Sequence, residues 1–401
     1  MANTDDDSGQ FSAGSSVRIN QGNILGLGHP TLAKTQVNIV IFDLPNNGKV
    51  TYEIVGDCHI SDLKLTILKK YSTYLIDAQN YALYIPPSCG KFGKYLEEER
   101  TLRDYISDSS DIDLEFVYKQ RINFGQVDPL KSNLSPHLVR SAQRSIIKAI
   151  HSGNAKKVSK VLGKGLDPNF HCPFTSETPL TMAVLKNCSK EIFAELINGG
   201  AHKDFKNRDG NTPLHVAVIA NKLSAVKDLL DFGQSPNCFN NDGLTPLFLA
   251  ICNSRTDEKI INELLFNYAD IGIIDIGGMQ EIHHAAKIDV STALNLLITY
   301  GADVNARCIS EKPVDCASLN INKAFVIGGD TPLHVASRFS SFQAVTALLS
   351  RGADPRILND YQESAISIAE RNKDYLLAGT LKTYTGLQFS KYLYAPYLRS
   401  R

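Results

Sequence analysis

Histidine and cysteine are the side chains best able to do acid–base, nucleophilic or metal chemistry near neutral pH, and the chain holds ten of the first and eight of the second. Their spacing does not assemble a reactive site. His283 and His284 adjoin, whereas a helical zinc motif needs His-Glu-x-x-His so that both rings share one face; neighbours on a helix point apart. Cys308 and Cys316 sit together without a matching histidine pair, and no Cys-x-x-Cys occurs, so metal ligation is not expected. "GKFGK" (90–94) lacks the Gly-Lys-Ser/Thr that opens a phosphate-binding helix. "GNILGLG" (22–28) follows no strand. Both read as turns. No Ser/His/Asp or Cys/His arrangement can be argued. The expectation is a non-enzyme with no catalytic residue, metal or cofactor.

The histidines make sense as parts of a repeat. His215 and His334 each close a Thr-Pro-Leu-His, and His283 closes Gln280-Glu281-Ile282-His283. Thr178, Thr212 and Thr245 open successive Thr-Pro-Leu motifs at intervals of 34 and 33 residues, and Thr331 opens another. Ser364 follows Thr331 by 33 residues. A period near 33 with this motif is similar to the ankyrin signature, a hairpin and two helices per repeat.

The residues have physical reasons to recur. The threonine hydroxyl caps the first helix, and proline at the first helical position lacks only an N–H that would be orphaned anyway. Ala183, Ala217, Ala285 and Ala336 let the helices of a repeat approach closely. Gly165, Gly200, Gly233, Gly301 and Gly352 end the second helices, where positive φ is common. Tyr268 occupies that place in one repeat and predicts strain there. His215, His283 and His334 are expected to bridge adjacent hairpins rather than to act chemically.

Ser145–Asn169 reads as an eroded first repeat, which gives about seven repeats over 141–385. One interval is long, and its surplus lies in "CISEKPVDCASLNINKAFVIG" (308–328), an insertion in a hairpin finger. The hairpin tips Arg208, Asp209, Asn241 and Asp242 are candidate partner contacts, although their residue types also favour turns.

Residues 36–118 show no repeat. "QVNIVIFDL" and "TYEIV" read as strands joined by an Asn-Gly turn. "SDLKLTILKKYST" reads as a helix capped by Ser61, with Leu63, Leu65, Ile67 and Leu68 as its apolar set. "YALYIP" and "DLEFVYK" are further strands. This order predicts an α+β ubiquitin-like β-grasp domain, joined by a linker (119–140) to an all-α-type ankyrin-repeat solenoid. Residues 1–35, polar and Gly/Ser-rich, read as a disordered leader, and 386–401 as a tail. The mixed charges of "KYLEEERTLRDY" (94–105) read as a solvated face.

Lys and Arg together number 42, as do Asp and Glu. This balance argues against nucleic acid or an anionic membrane as a whole-chain partner. No signal peptide or membrane-length apolar run occurs, so the expected location is cytoplasmic, with reduced thiols.

"DAQNYALYIPPSCGKFGKYLEEERTLRDY" (77–105), "LEFVYKQR" (114–121), "GLDPNFH" (165–171), "NGGAHKDFKNRDG" (198–210) and "QEIH" (280–283) resemble the Shank (ProSAP) family of postsynaptic scaffold proteins, over about 36–385. The resemblance implies a non-enzymatic adaptor linking receptors to the actin cytoskeleton at synapses. It implies a Ras-association-like N-terminal domain, a FERM F0 relative, that binds GTP-loaded Ras and Rap and folds back on the repeats. It further implies an array that binds partners such as sharpin and spectrin. The family's basic pair in its first two strands falls on Asn38 and Lys49, so one contact is missing; Lys34 is the candidate substitute. The given sequence ends at Arg401, before the SH3, PDZ, proline-rich and SAM segments into which Shank proteins usually continue, and is read as either a short isoform or a truncated gene model. The alternative to the adaptor reading is a stand-alone Ras/Rap effector module.

Overall fold

The computed structural model describes residues 17–19, 34–41, 48–55, 58–87, 93–105, 111–120, 136–309 and 328–386. Most of the insertion, the Asn-Gly turn at 46–48 up to Asn47, "GNILGLG" and most of the tail lie outside the described residues, as do 121–135 of the expected linker. The chain divides into two compact units, Met1–Ile122 and Asn123–Arg401.

Among the described residues, the first unit is a mixed sheet with one α-helix and two short 3-10 turns. Its strands are β1 (Val17–Ile19), β2 (Lys34–Ile41), β3 (Gly48–Val55), β4 (Tyr81–Ile85), β5 (Lys94–Tyr95) and β6 (Asp111–Tyr118), and helix α1 (Ile60–Tyr71) lies between β3 and β4 in sequence. The sheet order is β1-β3-β2-β6-β4-β5. β2 pairs antiparallel with β3 and parallel with β6, while β6 and β5 flank β4 antiparallel. β1 falls within the stretch read as a leader.

Alternation sets the core. Val37, Ile39 and Ile41 of β2, Val50, Tyr52 and Ile54 of β3, and Leu114 and Phe116 of β6 are buried together with α1, as a strand period of two requires. On α1 the buried stripe is Ile60, Leu63, Ile67 and Tyr71, the helical spacing of one face. Leu65 therefore does not belong to the apolar set: it sits about 200° around the helix from Leu63 and is exposed. Ser61 is not the cap either, because His59 occupies that position without a side-chain cap bond.

The stretch 94–105 is not simply a solvated face. Glu98 accepts from the buried Lys64 at 2.6 Å and lies 3.7 Å from the buried Lys119. Two cations around one half-buried carboxylate satisfy the rule that buried charges are paired.

The second unit is a helical solenoid of fourteen helices, described as seven pairs: α2 (Pro136–His151) and α3 (Ala155–Leu162), α4 (Pro179–Leu185) and α5 (Lys190–Asn198), α6 (Pro213–Ile219) and α7 (Leu223–Asp231), α8 (Pro246–Cys252) and α9 (Glu258–Phe266), α10 (Glu281–Lys287) and α11 (Ser291–Thr299), α12 (Pro332–Arg338) and α13 (Phe342–Ser350), α14 (Ala365–Arg371) and α15 (Tyr375–Gly386). α2 begins inside the stretch read as a linker. From α4 on, first helices pack on first helices of the next pair, and second helices do the same. One continuous apolar core runs from Ile146 to Leu381, because no single pair could bury its face alone.

The insertion leaves the stack intact. α10 packs on α12 as other neighbours do, and the two ends of the insertion meet: Cys308 N donates to Asp330 O at 2.8 Å and Gly329 N to Cys308 O at 2.9 Å. The carboxylate of Asp330, fully buried, accepts from Arg338 at 2.8 Å and from the Asn359 amide at 2.9 Å.

Candidate interaction site

The helix starts fix the hairpins. In the repeat opened by Thr212, His215 Nδ1 lies 2.7 Å from Thr212 Oγ1, and Nε2 lies 2.9 Å from the carbonyl of Leu244 in the next hairpin. A carbonyl only accepts, so Nε2 carries the proton. The same bridge joins His334 to Thr331 (2.8 Å) and to the Glu363 carbonyl (3.1 Å). His283 makes it from Gln280 N (3.2 Å) to the Ala306 carbonyl (3.0 Å). Burial pushes His215 and His283 down to about 4 and also lowers His334. The rings are neutral braces at neutral pH.

Three of the aligned repeats lack the histidine; in the one opened by Ser364, Ser367 completes the cap. Thr178 caps α4 with Thr181, and Thr245 caps α8 through the Phe248 amide. In the former, His171 supplies a bridge from elsewhere, its Nε2 3.0 Å from the Lys206 carbonyl.

Four of the described hairpin tips turn around a buried or half-buried Asx side chain, at Asn207, Asn240, Asp275 and Asn359, whereas Cys172 holds that place in the tip of Phe174 and closes it through backbone bonds with Glu177 and Ser176. Asn240 Oδ1 accepts from the amides of Asp242 and Leu244, both at 2.9 Å. Asn359 does the same for Tyr361 and Glu363, and Asp275 for Gly277 and Met279. Such Asx turns hold a tip without help from its outward residues. Arg208, Asp209, Asn241 and Asp242 are all exposed on these tips. Asp242 N serves the turn of Asn240, so part of its role is structural.

The same row carries apolar residues that turn-former reasoning passed over. Phe174 and Ile276 are almost fully exposed, and Ile309 and Tyr361 are about half exposed. Leu185 and Ile219, the last residues of α4 and α6, are exposed too. A large apolar residue among turn formers, as in "CPFTSE" and "DIGG", was the available signal.

In the first unit, Asn38 and Lys49 lie on adjacent strands, on the sheet face opposite the buried one. Asn38 Oδ1 accepts from Thr51 at 2.8 Å. Lys49 Nζ lies 3.5 Å from Asp113 with both side chains well exposed, a pair worth at most about 1 kcal/mol. Lys34 opens β2, in register with Val55. No group of three or more His, Cys, Asp or Glu able to hold a metal occurs among the described residues. No helix among them is long and apolar enough to cross a membrane.

The family described as ankyrin repeats (3 copies) matches residues 146–240, 183–275, 220–308 and 256–378. The chain belongs to the ankyrin-repeat family, whose repeats generally mediate protein–protein interactions. Within it, the likeness is to Shank proteins. SH3 and multiple ankyrin repeat domains protein 2 of Homo sapiens is 31% identical over 368 residues, 91% of this chain and 19% of that protein. SH3 and multiple ankyrin repeat domains protein 1 of Homo sapiens is 37% identical over 233 residues, 58% of this chain and 11% of that protein. The chain thus spans no more than a fifth of these relatives' length. Among solved structures, the ankyrin repeat domain of Bcl-3 aligns with a TM-score of 0.50 at 24% identity, covering 59% of this chain and 97% of that one; it bears on the fold alone.

Proposed function

We propose that this protein is a Shank-type scaffold that binds protein partners along the hairpin tips and the ends of the first helices of its array. The observation that carries this reading is the exposed row Arg208, Asp209, Asn241, Asp242 and Ile276 on hairpins whose turns an Asx side chain holds, with the exposed Phe174 on the hairpin before them. A rigid, mixed apolar and charged strip suits a folded protein partner more than a small molecule. By resemblance, the partners are sharpin-like and spectrin-like proteins, and the setting is the cytoplasm behind the postsynaptic membrane, with links to receptors and actin. The test is binding of such partners to the full chain with Ile276→Asp and Arg208→Glu variants. Loss of binding at unchanged thermal stability supports the reading.

A second reading concerns the first unit. The order β3-β2-β6-β4-β5 around a parallel β2/β6 pair, with α1 on one face, favours a ubiquitin-like β-grasp module of the Ras-association kind. In that role Lys49, with Asn38 in place of the arginine and Lys34 as substitute, would face GTP-loaded Ras or Rap. Losing one charge-assisted contact costs about 1.5–3 kcal/mol, so the expected affinity is weak. Calorimetric titration with GTP-analogue- and GDP-loaded forms checks it: binding only to the former, strengthened by Asn38→Arg, is the supporting result.

A further inference from the structure

The two sides of β3 are not alike. β2 pairs in register with all of Gly48–Val55, whereas β1 pairs only with Tyr52–Ile54. Gly48–Thr51 have no partner in β1. Without β1, β3 would be the edge of the sheet. An open edge offers unpaired N–H and C=O groups and takes up an extended segment by strand addition.

β1 has the properties of a cover that can leave. It is three residues long and runs parallel to β3; parallel pairing is slightly weaker per residue than antiparallel. Its register sets Arg18 opposite Glu53, residue types of opposite charge. β3 itself does not depend on β1, because Val50, Tyr52 and Ile54 are held in the core under α1.

We propose that Val17–Ile19 is a displaceable intramolecular cover of the β3 edge, and that any extended segment pairing with Gly48–Val55 must first displace it. The strand acts as a built-in competitor: tethered to the sheet, it is present at high effective concentration and suppresses weak strand-adding partners. The inference rests on reading the first unit as a binding module, but its test contains no GTPase, so the two can fail separately.

The experiment uses the full chain and a labelled peptide, GSSVRINQG, that copies residues 14–22. Val17→Pro with Ile19→Pro removes donors from β1. Hydrogen exchange of the β3 amides is then expected to rise about tenfold while β2 and β6 stay protected, and the peptide to bind the variant at least about tenfold more tightly than wild type. Arg18→Pro alone, which acts through the backbone of β1, should open the edge in the same assays. This single change decides the matter if the double proline variant loosens the whole sheet. Equal peptide binding by wild type and Arg18→Pro, or β3 protection unchanged in Arg18→Pro, overturns the proposal.

Discussion

The repeats opened by Thr212 and by Gln280 share a backbone and differ in chemistry. Both carry a histidine that joins its helix cap to the next hairpin carbonyl, at 2.9 Å from His215 and 3.0 Å from His283. In the first, the initial helical position holds Pro213, which has no N–H to satisfy. In the second it holds Glu281, fully buried, whose carboxylate accepts from the amides of Gly272 (2.9 Å) and Ile273 (3.2 Å). Burial raises its titration to about 7. The departure from Thr-Pro-Leu-His is thus not erosion of the motif. A carboxylate ties the hairpin strand to its own helix, and the repeat gains a titrating group that its neighbour lacks.

Breaking the shared element should have the largest effect. His215→Ala strips a buried brace and leaves the Leu244 carbonyl without its donor, so about 3 kcal/mol of stability is expected to go. Urea unfolding followed by far-ultraviolet circular dichroism measures it. A change below about 0.5 kcal/mol would mean that the histidine is ornamental.

The difference between the two repeats should appear as a pH dependence. A carboxyl raised from 4.5 to about 7 holds its proton in the folded state while the unfolded chain has lost it. The stability it contributes is therefore complete below about pH 4.5, falls as pH rises, and levels off above about 7. Glu281→Gln cannot titrate. The stability of wild type minus that of the variant should drop by roughly 3 kcal/mol across that window, and a flat difference would contradict the assignment. The buried histidines act in the opposite sense, losing stability as pH falls from about 6.5 through 4, and they cancel in the difference.

A smaller effect sharpens the comparison of helix ends. Tyr268 adopts φ 66° where the matching Gly233 adopts 73°, and its ring is largely exposed. Tyr268→Gly should remove left-handed strain and raise stability by about 1 kcal/mol. Thermal denaturation decides, and a loss would mean that the ring packs usefully. Smallest of all, Lys49→Ala should change stability by less than about 0.5 kcal/mol, because its pair with Asp113 is exposed; the same unfolding assay checks it.

The period, the caps and the helix-ending glycines were legible because each rests on a residue type that backbone geometry demands. The turns between paired helices were not. Asn187, Asn221, Asp289, Ser340 and Lys373 recur at one place in the repeat with φ between 51° and 62°, yet the side chain there changes among four types. Asn and Asp tolerate that region, but Lys373 gives no local signal. In the first unit, the alternating strands could be read and the three-residue β1 could not, being too short to show a period. The pairing of Lys64 and Lys119 with Glu98 is set by tertiary contact between distant segments. In the candidate site, exposure of the tip residues followed from turn chemistry, while Phe174 and Ile276 were hidden by the turn formers around them.

The central claim is that the array binds protein through its hairpin row. The most direct measurement is calorimetric titration of the full chain with a spectrin α-chain fragment and with sharpin, comparing wild type with Ile276→Asp/Arg208→Glu. The account predicts binding by wild type, at least about tenfold weaker binding by the variant, and an unchanged melting temperature. Equal binding by both proteins, or none by wild type, would contradict it.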